Sequence, residues 1–124
     1  MPKILVVDDT ASELQRICRV LEDANIEVMQ AKDGEEALAL IESEPPDLVV
    51  LDVIMPVMNG FEVIRELRSN HKTAKLPVVF CSQKNTEIDT IWGLDQGADA
   101  YLTKPINPQQ FMKTIQRLLS SIQV

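Results

Sequence analysis

The chain has 124 residues, 45% of them hydrophobic, which suits one domain with a real core and excludes a disordered chain. Its 12 Lys and Arg against 19 Asp and Glu give a formal charge of −7, which argues against a nucleic-acid partner, since that needs a basic patch. No apolar run nears the length of a membrane span, no signal-peptide pattern is visible, and Cys18 and Cys81 lack metal-ligand spacing, so a cytoplasmic protein with buried, reduced thiols is expected.

Lys3 to Asp8 reads as a strand, apolar and β-branched, that ends in two acids, Asp8 and Asp9. Thr10-Ala11-Ser12-Glu13 has the form of a capping box, and Leu14, Ile17, Cys18 and Leu21 then recur at helical spacing. Asn25 marks a turn before a second strand, Glu27 to Ala31. Asp33 can cap a helix that buries Ala37, Leu38 and Ile41 and stops at Pro45-Pro46. Leu48 to Leu51 is an unbroken apolar run, as in a strand buried on both faces, and it ends abruptly in Asp52. Pro56 and Asn59-Gly60 mark a loop, followed by Phe61, Ile64 and Leu67 at helical spacing to about Ser69. Leu76 to Cys81 reads as the fourth strand, ended by Ser82. Thr86 is a candidate cap for a helix with the stripe Ile88, Ile91 and Leu94, closed by Gly97. Trp92 falls beside that stripe, either as core filler or on the outer face with Tyr101. Asp99 to Thr103 is the fifth strand, ended by Lys104-Pro105. Asn107-Pro108 opens the last helix, with the stripe Phe111, Ile115, Leu118, Leu119 and Ile122. Met58 and Met112 read as packing.

Strands alternating with helices across short connections require a parallel sheet with helices on both faces. Every strand then ends on the same side, where open α/β sheets collect ligands and chemistry. If the first and third strands are neighbours, Asp8, Asp9 and Asp52 converge there. Carboxylates that close repel unless compensated, and two compensators suggest themselves: Lys104 and a hard divalent cation such as Mg²⁺. Asp52 is then a candidate nucleophile toward a phosphoryl group, with the metal, Lys104 and the Ser82 hydroxyl each available to one phosphoryl oxygen.

Val6-Val7-Asp8-Asp9, Leu51-Asp52 with Met55-Pro56 and Gly60, Ser82, Gly97-Ala98-Asp99 with Tyr101, and Lys104-Pro105 follow one another in an order and spacing that resemble a response-regulator receiver domain of the stand-alone, CheY-like kind. The resemblance covers nearly the whole chain. It implies a flavodoxin-like, doubly wound, five-stranded parallel sheet of strand order 2-1-3-4-5 with five helices, forming a single receiver domain over residues 1–124 with no output domain. It implies that Asp52 is the phosphoacceptor for a histidine kinase or phosphotransfer domain. Asp9 and Asp52 would ligate Mg²⁺ directly with the backbone carbonyl of Ile54, and Asp8 through a metal-bound water. Ser82 and Tyr101 would be the switch pair. Lys104 would pair with the phosphoryl oxygens, and the Lys104-Pro105 bond would be cis. The output would be a contact with a target protein on the face of the fourth helix, fifth strand and last helix, including Trp92 and Tyr101, in a two-component system of the chemotaxis or motility type. The chain would be a monomer or a dimer, catalysing only its own phosphorylation and dephosphorylation.

Three positions depart from or vary within that pattern. Gln83 stands where the family usually has a small residue, and its bulk is expected to crowd the inward path of Tyr101. Ile54 and Lys84 flank the site where members vary, and an apolar Ile54 cannot orient an attacking water, so a long-lived phosphoryl group is expected. Rival readings fit less well. An aspartyl-nucleophile phosphatase typically carries a second Asp two positions on, where this chain has Ile54. A flavin carrier needs a Ser/Thr/Gly-rich phosphate loop where this chain has Asp8-Asp9-Thr10. A degenerate receiver is disfavoured by the intact set of acids, serine and lysine.

Overall fold

A computed structural model describes residues 2–122, Ile122 by its backbone alone, so that residue's expected place in the last helical stripe lies outside the described side chains. The elements alternate strictly: β1 (Lys3–Val7), α1 (Ala11–Asp23), β2 (Glu27–Ala31), α2 (Gly34–Ser43), β3 (Leu48–Leu51), α3 (Gly60–Ser69), β4 (Val78–Ser82), α4 (Glu87–Asp95), β5 (Ala100–Thr103) and α5 (Pro108–Ile122). The five strands form one parallel sheet in the order β2-β1-β3-β4-β5, as expected. Strand boundaries move by up to two residues: β4 begins after Pro77, whose missing N–H suits the approach to a strand better than its interior.

The apolar runs of the central strands divide by alternation between the two faces of the sheet. Leu5, Val7, Val49, Leu51, Val78 and Phe80 pack against Ala37 and Ile41 of α2 and Val63, Ile64 and Leu67 of α3. Ile4, Val6, Leu48, Val50, Val79 and Cys81 pack against Ile17, Cys18 and Leu21 of α1 and Phe111 and Ile115 of α5. Both cysteines are buried free thiols, and burial raises Cys18 to a pKa of about 11 and Cys81 to about 12, so neither is poised as a nucleophile.

Helix starts follow local chemistry. The carboxylate of Asp33 accepts from the Glu36 N–H, and Thr86 and Asp89 close a reciprocal capping box. Asn59 and Glu62 close another, although Asn59-Gly60 carries only a loop signal in the sequence. At α1 the expected box does not form: Thr10 is the N-cap without a side-chain cap bond, its N–H donates to Asp8, and Glu13 reaches Lys104 instead.

The main correction concerns α4. The stripe Ile88, Ile91 and Leu94 was expected inside. It faces out, with Ile88 75% exposed and Trp92 beside it also exposed. The buried face is small and polar: Gly93 is buried, and Asp89 and Thr90 are half-buried. Gly93 explains the choice of face. A Cβ there would lie 2.5 Å from the Tyr101 ring, so glycine lets the helix come close over β5, and no bulkier face could. Of the two places open to Trp92, the outer face is the one it takes, with its ring 5.7 Å from that of Phe61.

Candidate functional site

The sheet register assembles the site. Val7 of β1 pairs with Leu51 of β3, so Asp8 and Asp52, each one residue beyond its strand, stand side by side. Ser82 of β4 pairs with Thr103 of β5, and the Lys104 N–H donates to the Ser82 carbonyl at 2.8 Å, which swings the lysine to the same edge. All three strand-end groups are removed from bulk water: Asp8 is 1% exposed, Asp52 is 7% exposed and the Lys104 side chain is 5% exposed.

Lys104 is the hub. Its Nζ donates to Asp8 Oδ2 at 2.5 Å, to Glu13 Oε2 at 3.0 Å and to Asp52 Oδ2 at 3.3 Å. Burial works against its ammonium, but the hydrogen bonds to Asp8 and Glu13 and the charges of Asp52 and Asp8 outweigh it, so Lys104 titrates above its ordinary value. Asp52 goes the same way for another reason. Burial is the main cause and Asp8 adds repulsion, Lys104 opposes both, and the Asp52 carboxyl settles at about 6. Its other oxygen accepts from the Ile54 N–H at 3.4 Å. Asp8 is held rigidly, since its second oxygen accepts from the Thr10 N–H at 2.9 Å. The Lys104–Pro105 peptide bond is cis.

The cluster opens into a cleft of about 530 Å³, on which Asp9, Glu13, Asp52, Ile54, Gln83 and Lys104 all border. Asp9 is an exposed residue of the rim. The carboxylate oxygens that come within 4.8 Å of one another belong to Asp8, Glu13 and Asp52. Hard oxygen donors beside open, wettable space are what Mg²⁺ accepts, since it keeps several waters and takes one or two carboxylates. The donor set therefore fits such an ion. Glu13 is the residue that sequence reading missed in this cluster. Its spacing from Thr10 matched a cap so well that no signal remained to suggest a second destination.

Of the switch candidates, Ser82 ends β4 and Tyr101 lies within β5. Ser82 is fully buried, and its hydroxyl accepts from the Lys84 N–H at 3.1 Å. Tyr101 packs its ring 5.8 Å from that of Phe80, and its hydroxyl donates to the Lys84 carbonyl at 2.8 Å. The Gln83 amide reaches across the cleft to donate to Glu13 Oε1 at 3.3 Å. Rings of Trp92, Phe61, Phe80 and Tyr101 run in sequence from the outer face of α4 inward, each within 5.8 Å of the next.

Comparison with known proteins agrees with this architecture. Residues 4–116 match the family model described as the response regulator receiver domain. Protein PilH of Pseudomonas aeruginosa is 38% identical over 97% of this chain and 99% of its own length. The alkaline phosphatase synthesis transcriptional regulatory protein PhoP of Bacillus subtilis is 41% identical over 94% of this chain, which spans only 48% of that longer protein. Among solved structures, the chemotaxis protein CheY4 of Vibrio cholerae superposes with a TM-score of 0.88 at 37% identity, over 95% of this chain and 98% of that one. Fold, strand order and family match together place the chain in the response regulator receiver domain family of two-component signalling, with a CheY-like fold.

Proposed function

We propose that Asp52 accepts a phosphoryl group from the phosphohistidine of a histidine kinase or phosphotransfer domain, and that the modified chain presents an altered surface to a target protein. The observation that carries this is the buried trio of Asp8, Asp52 and Lys104 beyond the carboxyl ends of β1, β3 and β5, with Asp52 and Lys104 bordering the cleft. In the transfer, the donor's P–N bond breaks as a P–O bond forms to Asp52, and the imidazole leaves with the electron pair and takes up a proton. Such transfer is governed by positioning and by neutralisation of phosphoryl charge. Lys104 supplies a cation fixed at that point. Asp8, Asp9, Asp52 and the Ile54 carbonyl would hold Mg²⁺, which supplies the remaining positive charge.

The chain has no group in the position of a phosphatase's general acid, and we read it as a switch rather than an enzyme on external substrates. Ile54 is an exposed apolar residue on the cleft rim, which favours slow hydrolysis of the aspartyl phosphate. The response would run through Ser82, the loop after it, Tyr101 and α4. The outward stripe of Ile88, Ile91, Trp92 and Leu94 is an apolar patch suited to a target protein. Likeness to a Vibrio cholerae chemotaxis protein supports a chemotaxis-like setting. A cytoplasmic monomer or dimer is the expected form.

The test is intact-mass analysis after incubation with acetyl phosphate, with and without Mg²⁺, for wild type and Asp52→Ala. One phosphate adduct is expected, only with Mg²⁺ and only with Asp52 present, decaying slowly after donor removal. An adduct on Asp52→Ala, or none on wild type from either acetyl phosphate or a phosphorylated kinase, overturns the reading.

A further inference from the structure

Glu13 is placed in a way that helix initiation does not require. One carboxylate oxygen accepts from Lys104 Nζ at 3.0 Å, and the other accepts from Gln83 Nε2 at 3.3 Å. The side chain thus bridges the mouth of the cleft, from the first turn of α1 to the ammonium beyond β5 and to the loop after β4.

Lysine has three N–H donors, and here three carboxylates take them: Asp8, Glu13 and Asp52. A phosphoryl group on Asp52 can engage Lys104 only if one contact breaks. Asp8 is almost wholly buried and is held at its other oxygen by Thr10, so releasing it would strand a buried charge. Asp52 supplies the electron pair of the new bond, and until that bond forms its carboxylate keeps its own contact with Lys104. Glu13 is the outermost of the three, with a side chain 26% exposed, and can turn into water.

We infer that Glu13 is a positioning residue that holds Lys104 before phosphorylation and must yield it to the incoming phosphoryl group, so that its grip sets how readily Asp52 is modified. The same carboxylate ties Gln83 and the start of the β4–α4 loop to α1, and letting go of Lys104 loosens that tie as well. This rests on Asp52 being the phosphoacceptor.

Two variants separate the contact from mere charge. Glu13→Gln keeps the shape and removes the charge, leaving a weaker neutral acceptor for Lys104. Glu13→Asp keeps the charge but draws it back by one methylene, out of reach of Lys104. Each is followed with acetyl phosphate and Mg²⁺, in which the P–O bond to acetate breaks as that to Asp52 forms. Both variants are expected to phosphorylate about tenfold faster at saturating donor, with little change in KM, as suits loss of one charge-assisted hydrogen bond from the resting state. In metal-free, donor-free protein, the ¹⁵N ammonium signal of Lys104 is expected to be sharp in wild type and broadened by water exchange in Glu13→Asp. Rates unchanged or slower in both variants overturn the inference. Acceleration in Glu13→Gln alone also overturns it, since that outcome requires only charge across space. An unchanged Lys104 signal in Glu13→Asp refutes the grip itself, independently of phosphorylation. Absence of any Asp52 adduct on wild type refutes the phosphoacceptor reading instead.

Discussion

Asp52 is expected to make the resting protein less stable, and Asp52→Asn to make it more so. Burial holds its carboxyl at about 6, whereas a free aspartate titrates near 3.9. The native state therefore keeps this proton to higher pH than the unfolded chain does. For a raised carboxyl, the stability it contributes is complete below about pH 4 and is lost as pH rises through the folded value. A difference of about 2 pKa units sets a ceiling of about 3 kcal/mol at neutral pH. The open cleft screens the charge and Asn forgoes the attraction of Lys104, which brings the expected gain to about 1.5 kcal/mol. Lys104 does not lose its place in the variant, since Asp8 and Glu13 still hold it. The assay is urea unfolding of wild type and Asp52→Asn in metal-free buffer from pH 4 to 7.5, taking the difference so that acid effects common to both cancel. The gap is expected to be near zero at pH 4, to open through pH 6, and to narrow again at pH 7 when Mg²⁺ is added, because the cation binds the ionised wild-type carboxylate. A variant no more stable than wild type at pH 7 would refute the reasoning, and so would a gap that does not close on acidification.

Two further predictions concern backbone and framework. Val57 lies in the β3–α3 loop at φ 69°, 81% exposed, so a β-branched side chain is held in the left-handed region with no packing to justify it. That conformation costs an L-residue about 1–2 kcal/mol. Part of this is offset when glycine adds entropy to the unfolded chain, so Val57→Gly is expected to stabilise by about 1 kcal/mol in a denaturation midpoint, and a lower midpoint counts against the strain. Arg68 donates to the carbonyls of Gly97, Leu76 and Thr73 and to Asp99, joining the end of α3 to the approaches of β4 and β5. Arg68→Met fills similar space without donors and is expected to lower unfolding free energy by about 2–3 kcal/mol, with faster amide exchange at Val78 and Ala98; unchanged stability would show that the carbonyls find water instead.

The site was legible to the extent that it lies at strand ends. An apolar run that stops at a carboxylate can be read from the sequence, and parallel topology then carries Asp8, Asp52 and Lys104 to one edge whatever the details of packing. Residues whose role depends on where a long side chain goes were not legible. Glu13 satisfies the local pattern of a cap, yet a partner 91 positions away competes for it and holds it. Gln83 reaches Glu13 across the cleft, a contact that no local pattern encodes.

The helix α4 draws the same boundary. Its existence, its start at Thr86 and its end before Gly97 follow from caps and spacing, because those interactions are local. Which face it buries does not. The usual rule puts Ile88, Ile91 and Leu94 inside, but at the edge of the sheet the close approach of Gly93 to Tyr101 decides the orientation and leaves the apolar stripe in water. Alternating elements, parallel strands and the acids and lysine at the strand ends follow from the chain alone, since periodicity and connectivity suffice for these, whereas the order of the strands came from the family resemblance. Only the tertiary structure decided the partners of Lys104 and the outward face of α4, because both are settled by competition between groups that meet only when the sheet has closed.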